Sequence, residues 1–201
     1  MTGQTTLTDR FDEALTYARE HHRDDWRKGT GIPYVSHLLG VSSLVLDMEG
    51  SEDEAIAALL HDVIEDGGGV EAEVVIRERF GDDVARIVRA CSDTDVQPKP
   101  PWQDRKKTYI AAIAHKRPDE LRVSLADKVH NARAILLDLR TNGDELWTRF
   151  SAGRDAQLWY YGGLADQFTA RRADLGEPAA PLVDELQRVV AEIGRVSGDG
   201  G

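Results

Sequence analysis

Only one cysteine, Cys91, occurs in 201 residues. No internal disulfide can form, which excludes a disulfide-stapled secreted scaffold and fits a reducing compartment. Cys91 itself reads as a small core residue. The chain also lacks any apolar run approaching the roughly 20 residues that a membrane-spanning helix needs. Its start, MTGQTTLTDRF, has no basic segment followed by an apolar one, so no signal peptide is expected and the cytoplasm is the expected location. Positive charge is scarce: 25 Lys and Arg stand against 36 Asp and Glu, a formal net charge of −11. That balance argues against nucleic-acid binding, which depends on neutralising phosphates. A phosphorylated small molecule would need a metal ion or a local basic cluster to hold it. Regular alternation of the kind strands show is nearly absent, and neither a long repeat nor a sustained heptad is present.

Helical periodicity is what remains. Thr8 can cap a first helix carrying Phe11, Leu15 and Ala18 on one stripe. A second helix is expected from about Ser36, and Ser51 followed by Glu54 is a capping-box pattern that opens a third. Further helices are expected over 71–80, 82–91, 104–115, 119–140, 144–150, 152–172 and 180–195. The segment SDTDVQPKPPW, with its three prolines, reads as a loop. The expectation is one all-α domain of about 8–10 helices spanning 1–196, with a disordered tail at 197–201.

The third helix runs into AALLHDVIEDGGG, where His61, Asp62, Glu65 and Asp66 interrupt an apolar stretch. On a helix His61 and Asp62 project about 100° apart and can converge only on something off its shoulder. A metal ion is such a target, because imidazole nitrogen and carboxylate oxygen suit Mn, Fe or Zn. Glu65 follows His61 by four residues and Asp66 follows Asp62 by four, so one broad face is expected for all of them. Three carboxylates at a helix C-terminus oppose the dipole and one another unless a cation compensates. The competing explanation is a solvated helix end. His37, in PYVSHLLGV, reads alone as a satisfied structural histidine. Asp127, in LRVSLADKVHNARAI, reads alone as a surface residue paired with Lys128, and Asn131 lies one turn further on.

Taken together, H…HD…D in that chain order resembles the HD-domain metal-dependent phosphohydrolases. HHRDDWRKGTGIPYVSH, AALLHDVIED and LADKVHNAR are similar to the signature segments of the hydrolase domain in RelA/SpoT-type alarmone enzymes. The similarity covers roughly residues 11 to 165, which is most of the chain. It implies an HD-domain helical bundle and a stand-alone small alarmone hydrolase. The implied reaction removes the 3′-pyrophosphate from ppGpp or pppGpp, leaving GDP or GTP. It also implies His37, His61, Asp62 and Asp127 as ligands of one Mn²⁺, and Glu65 and Asp66 as the catalytic pair. Arg27 and Lys28 match the family's basic pair near the nucleotide, and Asn131 matches a nucleotide-contacting asparagine.

Two departures lie near the implied base pocket: Leu38 stands where proline is common, and Asp24–Asp25 stand where Gly-Gln is common. They bear on which nucleotide is accepted, so an adenosine alarmone or NADPH is an alternative substrate. A non-catalytic nucleotide-binding module is a third reading, opposed by the retained Glu65–Asp66 pair. Arg23 is a further candidate phosphate partner, and Tyr34 a candidate pocket wall. The clusters Arg105–Lys106–Lys107 and His115–Lys116–Arg117 read equally as phosphate contacts or as solvated helix faces. Trp159, Tyr160 and Leu164 read as helix packing.

Overall fold

The computed structural model describes residues 4–65, 69–94 and 98–198. Among these the chain forms α1 (Asp9–His21), α2 (Val35–Asp47), α3 (Glu52–Leu60), α4 (Gly69–Phe80) and α5 (Asp82–Cys91). They are followed by α6 (Trp102–Ile113), α7 (Pro118–Asn142), α8 (Gly153–Ala170), α9 (Arg172–Leu175) and α10 (Ala180–Gly198). Tighter 3₁₀ turns cover Gly143–Arg149 and Glu177–Ala179. No strand occurs among the described residues, where Trp26 and Pro33 form an isolated bridge. No helix is long and apolar enough to cross a membrane. The all-α expectation holds. The tail does not begin where expected: α10 continues through Ser197, which is buried, to Gly198. Residues 199–201 lie outside the described part.

The core is organised by α3. Residues 55–60 are all buried, because α3 is apolar on every side and is packed by α1, α2, α5 and α7. Its start is set by the expected capping box. Ser51 Oγ accepts from Glu54 N at 3.3 Å, while Glu54 Oε2 accepts from Ser51 N at 2.8 Å. The other oxygen of Glu54 accepts from Arg122 Nε at 2.6 Å, which fixes the head of α3 against α7. The opposite end of α3 is thereby held in register with the middle of α7.

α7 is the longest element, with 25 residues spanning roughly 37 Å. Pro118 at its first position has no N–H to leave unsatisfied, and Arg117 and Glu120 complete the cap. Between α1 and α2 the chain makes a short loop closed by Tyr34 N to Asp25 O at 2.9 Å and Arg27 N to Ile32 O at 2.8 Å. α2 and α7 approach unusually closely at Gly40. A methyl group there would lie 2.3 Å from His130 Nε2, so only glycine admits that imidazole.

One local expectation is corrected. The α-helix ends at Leu60 with His61 as its C-cap, and 61–65 form a turn that widens into a π-type bend. His61, Asp62 and Glu65 therefore do not share a helical face. His61, Asp62 and Glu65 leave the 3.6-residue spiral there, which lets each of the three be aimed separately. Gly69, at φ +51°, already opens α4, while Asp66 lies outside the described residues.

Candidate metal centre and groove

Three helices deliver the cluster. His37 comes from the first turn of α2, His61 and Asp62 from the end of α3, and Asp127 from the middle of α7. His61 Nε2 lies 3.0 Å from Asp62 Oδ2 and 3.6 Å from Asp127 Oδ1. His37 Nε2 lies 3.3 Å from Asp127 Oδ1 and 3.7 Å from Asp62 Oδ2. Ligand atoms bound to one cation at about 2.1 Å sit roughly 3.0–3.5 Å apart, and His37, His61 and Asp127 approach that spacing, while Asp62 reaches both imidazoles but falls outside the group of three. His37, His61 and Asp127 are buried, and their ligand atoms meet the spacing of a metal-holding group.

Each of these side chains is aimed by another group. His61 Nδ1 lies 2.8 Å from Ala58 O. A carbonyl only accepts, so Nδ1 carries the proton and the Nε2 lone pair of the neutral ring faces the cluster. That Nε2 is buried with no hydrogen-bond partner, as expected of an atom meant to bind a cation. His37 Nδ1 lies 2.9 Å from His130 Nδ1. Tyr34 donates its hydroxyl to Asp62 Oδ2 at 2.6 Å. Lys128 Nζ donates to Asp127 Oδ2 at 2.6 Å, and Asn131 Nδ2 donates to Asp127 Oδ1 at 2.5 Å. Such outer partners fix ligand orientation in metal sites.

The electrostatics agree. Burial would push Asp127 up, but Lys128 and the two imidazoles hold it well below the usual carboxylate range. Burial likewise opposes ionisation of Asp62, and His61 outweighs it, so Asp62 also falls below that range. Burial alone would lower His61, yet Asp62 and Asp127 raise it well above an ordinary imidazole. The pair of buried carboxylates thus demands positive charge between them, which a proton on His61 or a cation can supply. Burial together with His37 and Arg27 lowers His130 to about 4. His130 is therefore neutral near pH 7 and can accept the proton that His37 offers at Nδ1.

Tyr34, Lys128 and Asn131, which hold the cluster carboxylates, also line a groove of about 550 Å³ together with Arg27, Lys28 and Lys106, among others. Arg27 Nη2 donates to Asn131 Oδ1 at 2.8 Å, which links the first loop to the turn of α7 after Asp127. Glu65 is partly exposed beside the cluster, with Lys99 Nζ at 3.3 Å and Asp93 N at 3.4 Å. Asp93 is buried and pairs with Arg105 and Lys106, each at 2.6 Å. Arg105 and Lys106 thus lean inward on a carboxylate, and the solvated-face alternative fails for them.

The other expectations divide. Tyr34 does line the groove, but its hydroxyl is committed to Asp62. Arg23 is exposed and lies outside the residues that line the groove. Lys116 is neither a phosphate contact nor solvated: it is buried, donates to Ser124 Oγ at 2.7 Å and stands over the Tyr109 ring at 4.3 Å. Cys91 is buried beside Ser124, as a core residue should be. Tyr160 and Leu164 are buried packing residues, with Trp159 more exposed. The expected pairing of Lys128 with Asp127 is present, whereas sequence reasoning missed His130 and the pairing of Glu54 with Arg122. For His130 a signal existed, since it falls three residues after Asp127 on the same helix.

A bundle in which buried imidazoles and carboxylates from three helices converge on one point defines a class of helical protein built to hold a divalent cation. Residues 14–157 match the HD domain, and the chain belongs to that family. It is 36% identical over 169 residues to the guanosine-3′,5′-bis(diphosphate) 3′-pyrophosphohydrolase MESH1 of Drosophila melanogaster, covering 83% of this chain and 88% of that one. The Homo sapiens protein of the same name is 35% identical over 126 residues, covering 61% and 68%. A solved structure described as a metazoan ortholog of SpoT that hydrolyzes ppGpp superposes with a TM-score of 0.72. It shares 30% identity and covers 92% of this chain and 97% of that one. The chain falls in the branch of the HD-domain family that holds these relatives.

Proposed function

We propose that this protein is a metal-dependent hydrolase that removes the 3′-pyrophosphate from ppGpp and pppGpp, giving GDP or GTP and pyrophosphate. The observation that carries this reading is the buried His–Asp cluster whose partners Tyr34, Lys128 and Asn131 also line a basic groove. The named activity of the relatives supports the choice of substrate. In this reading His37, His61, Asp62 and Asp127 hold one Mn²⁺. Bound there, the cation would polarise a phosphoryl oxygen and acidify a water.

The chain's own groups do the remainder. Glu65, with Asp66, orients the attacking water and takes its proton as the new bond to phosphorus forms. The bond from that phosphorus to the 3′ oxygen breaks, and the oxygen leaves as a hydroxyl by taking the proton that the Glu65–Asp66 pair removed from the water. Arg27 and Lys28 steer the anionic nucleotide, with Arg23 as an outer attraction. Asn131 ties the Arg27 loop to the cluster, and Tyr34 holds Asp62 in place. One domain and a cytoplasmic location complete the reading, with no nucleic-acid or membrane partner. The test is direct: Mn²⁺-loaded protein incubated with ppGpp should release pyrophosphate and GDP in equal amounts. Release of neither would overturn the proposal.

A further inference from the structure

The groove extends along α7 from Lys128 through Asn131 and Ala134 to Asp138, a span of ten residues and roughly 15 Å. Its two ends differ in chemistry. The end beside the metal cluster carries Lys106 and Lys128 and suits phosphates. The far end has Leu146 and Phe150, with the Lys28 ammonium over the Phe150 ring at 5.7 Å, and beside them Asp138 and Arg149. Arg149 Nη1 donates to Asp138 Oδ2 at 3.2 Å. The aliphatic stem of Arg149 lies on Gly29, where a methyl group would come within 2.6 Å of Cδ. Gly29 has φ +71°, so the loop supplies both the required conformation and the space. The result is a guanidinium and a carboxylate held side by side at the closed, partly apolar end of a nucleotide-sized groove.

We infer that the Asp138–Arg149 pair reads the base and selects guanine over adenine, an inference that rests on the proposed nucleotide hydrolysis. Guanine presents an acceptor, O6, beside a donor, N1–H, with a second donor on the 2-amino group. Adenine presents the reverse order, a donor amine beside the N1 acceptor. A guanidinium next to a carboxylate matches guanine and opposes adenine at both positions. The partly buried Phe150 ring lies on the same groove, and the α7 span separates that end from the cluster by about the length of a nucleoside with a 3′-diphosphate.

The test compares kcat/KM for guanosine and adenosine 3′,5′-bis(diphosphates) in Mn²⁺-loaded wild type, Asp138→Asn and Asp138→Glu. Wild type should prefer the guanosine nucleotide. Both variants should lose that preference about 10- to 100-fold, with the loss falling mainly in KM for the guanosine substrate. Asp138→Glu keeps an ion pair with Arg149 within reach, so it separates base reading from a merely structural brace. A guanosine-to-adenosine ratio within twofold of wild type in both variants would overturn the inference while leaving the hydrolase reading intact. A wild type that prefers adenosine overturns it too. A wild type that turns over neither nucleotide removes the functional reading beneath it.

Discussion

The metal cluster and the mouth of its groove obey opposite rules. In the cluster His37, His61 and Asp127 are almost wholly buried, and each is gripped by another group. At the mouth Trp26, Ile32 and Leu137 are 56%, 50% and 67% exposed. The difference reflects tolerance. A small error in ligand placement weakens a cation site many-fold, so the protein fixes those atoms by packing before any cation arrives. A nucleotide makes many weaker contacts and can complete a wall that the apo protein leaves open.

Four changes would break or sharpen that contrast. The largest effect belongs to Asp127→Ala, which removes a cluster carboxylate and strands the buried Lys128 ammonium. Bound metal should be lost, and stability should fall by about 3–5 kcal/mol in urea unfolding. Retained metal at wild-type stoichiometry would contradict the assignment. Next is Glu65→Gln, a change outside the buried set. It should lower kcat by about 10²- to 10⁴-fold with metal content unaltered, and a parallel loss of metal would show that Glu65 serves the cation instead.

His130→Ala probes the layer behind the cluster. Mn²⁺ affinity of the apo protein, followed by calorimetry, should weaken about 10- to 100-fold. His130→Asn places an acceptor near the lost Nδ1 and should recover part of it; equal affinity in all forms would remove His130 from the site. The smallest effect concerns Lys116, whose pKa burial lowers to about 8. The unfolded chain still binds that proton up to about pH 10.4, so between pH 8 and 10 the unfolded state holds more protons than the folded one. Stability should therefore rise with pH in this window, by about 2 kcal/mol relative to Lys116→Met. Tyr109, raised to about 12, is protonated in the folded state throughout it. Identical pH profiles for the two proteins would show that Lys116 is charged in both states.

Much of this was legible beforehand because it rests on periodicity and capping. α5 falls on its expected residues, Ser51 and Glu54 cap α3, and His37, His61 and Asp127 meet at one point with Asp62 against both imidazoles. What escaped is what local rules do not encode. The end of α3 at Leu60 is set by tertiary aim, not by propensity, for nothing in HDVIED stops a helix. The burial of Lys116 depends on Tyr109 and Ser124, which close over it from α6 and α7. Tyr34 lines the groove as expected, but its second role as donor to Asp62 escaped because that partner lies 28 residues away in the chain.

Gly40 carries a consequence for ion size. The missing side chain lets α7 press His130 against α2, and that contact sets how far His37 stands from Asp127. The glycine is in effect a gauge block for the bore of the cluster. Any larger residue would push the two helices apart and widen the cage, loosening its grip on a small divalent cation.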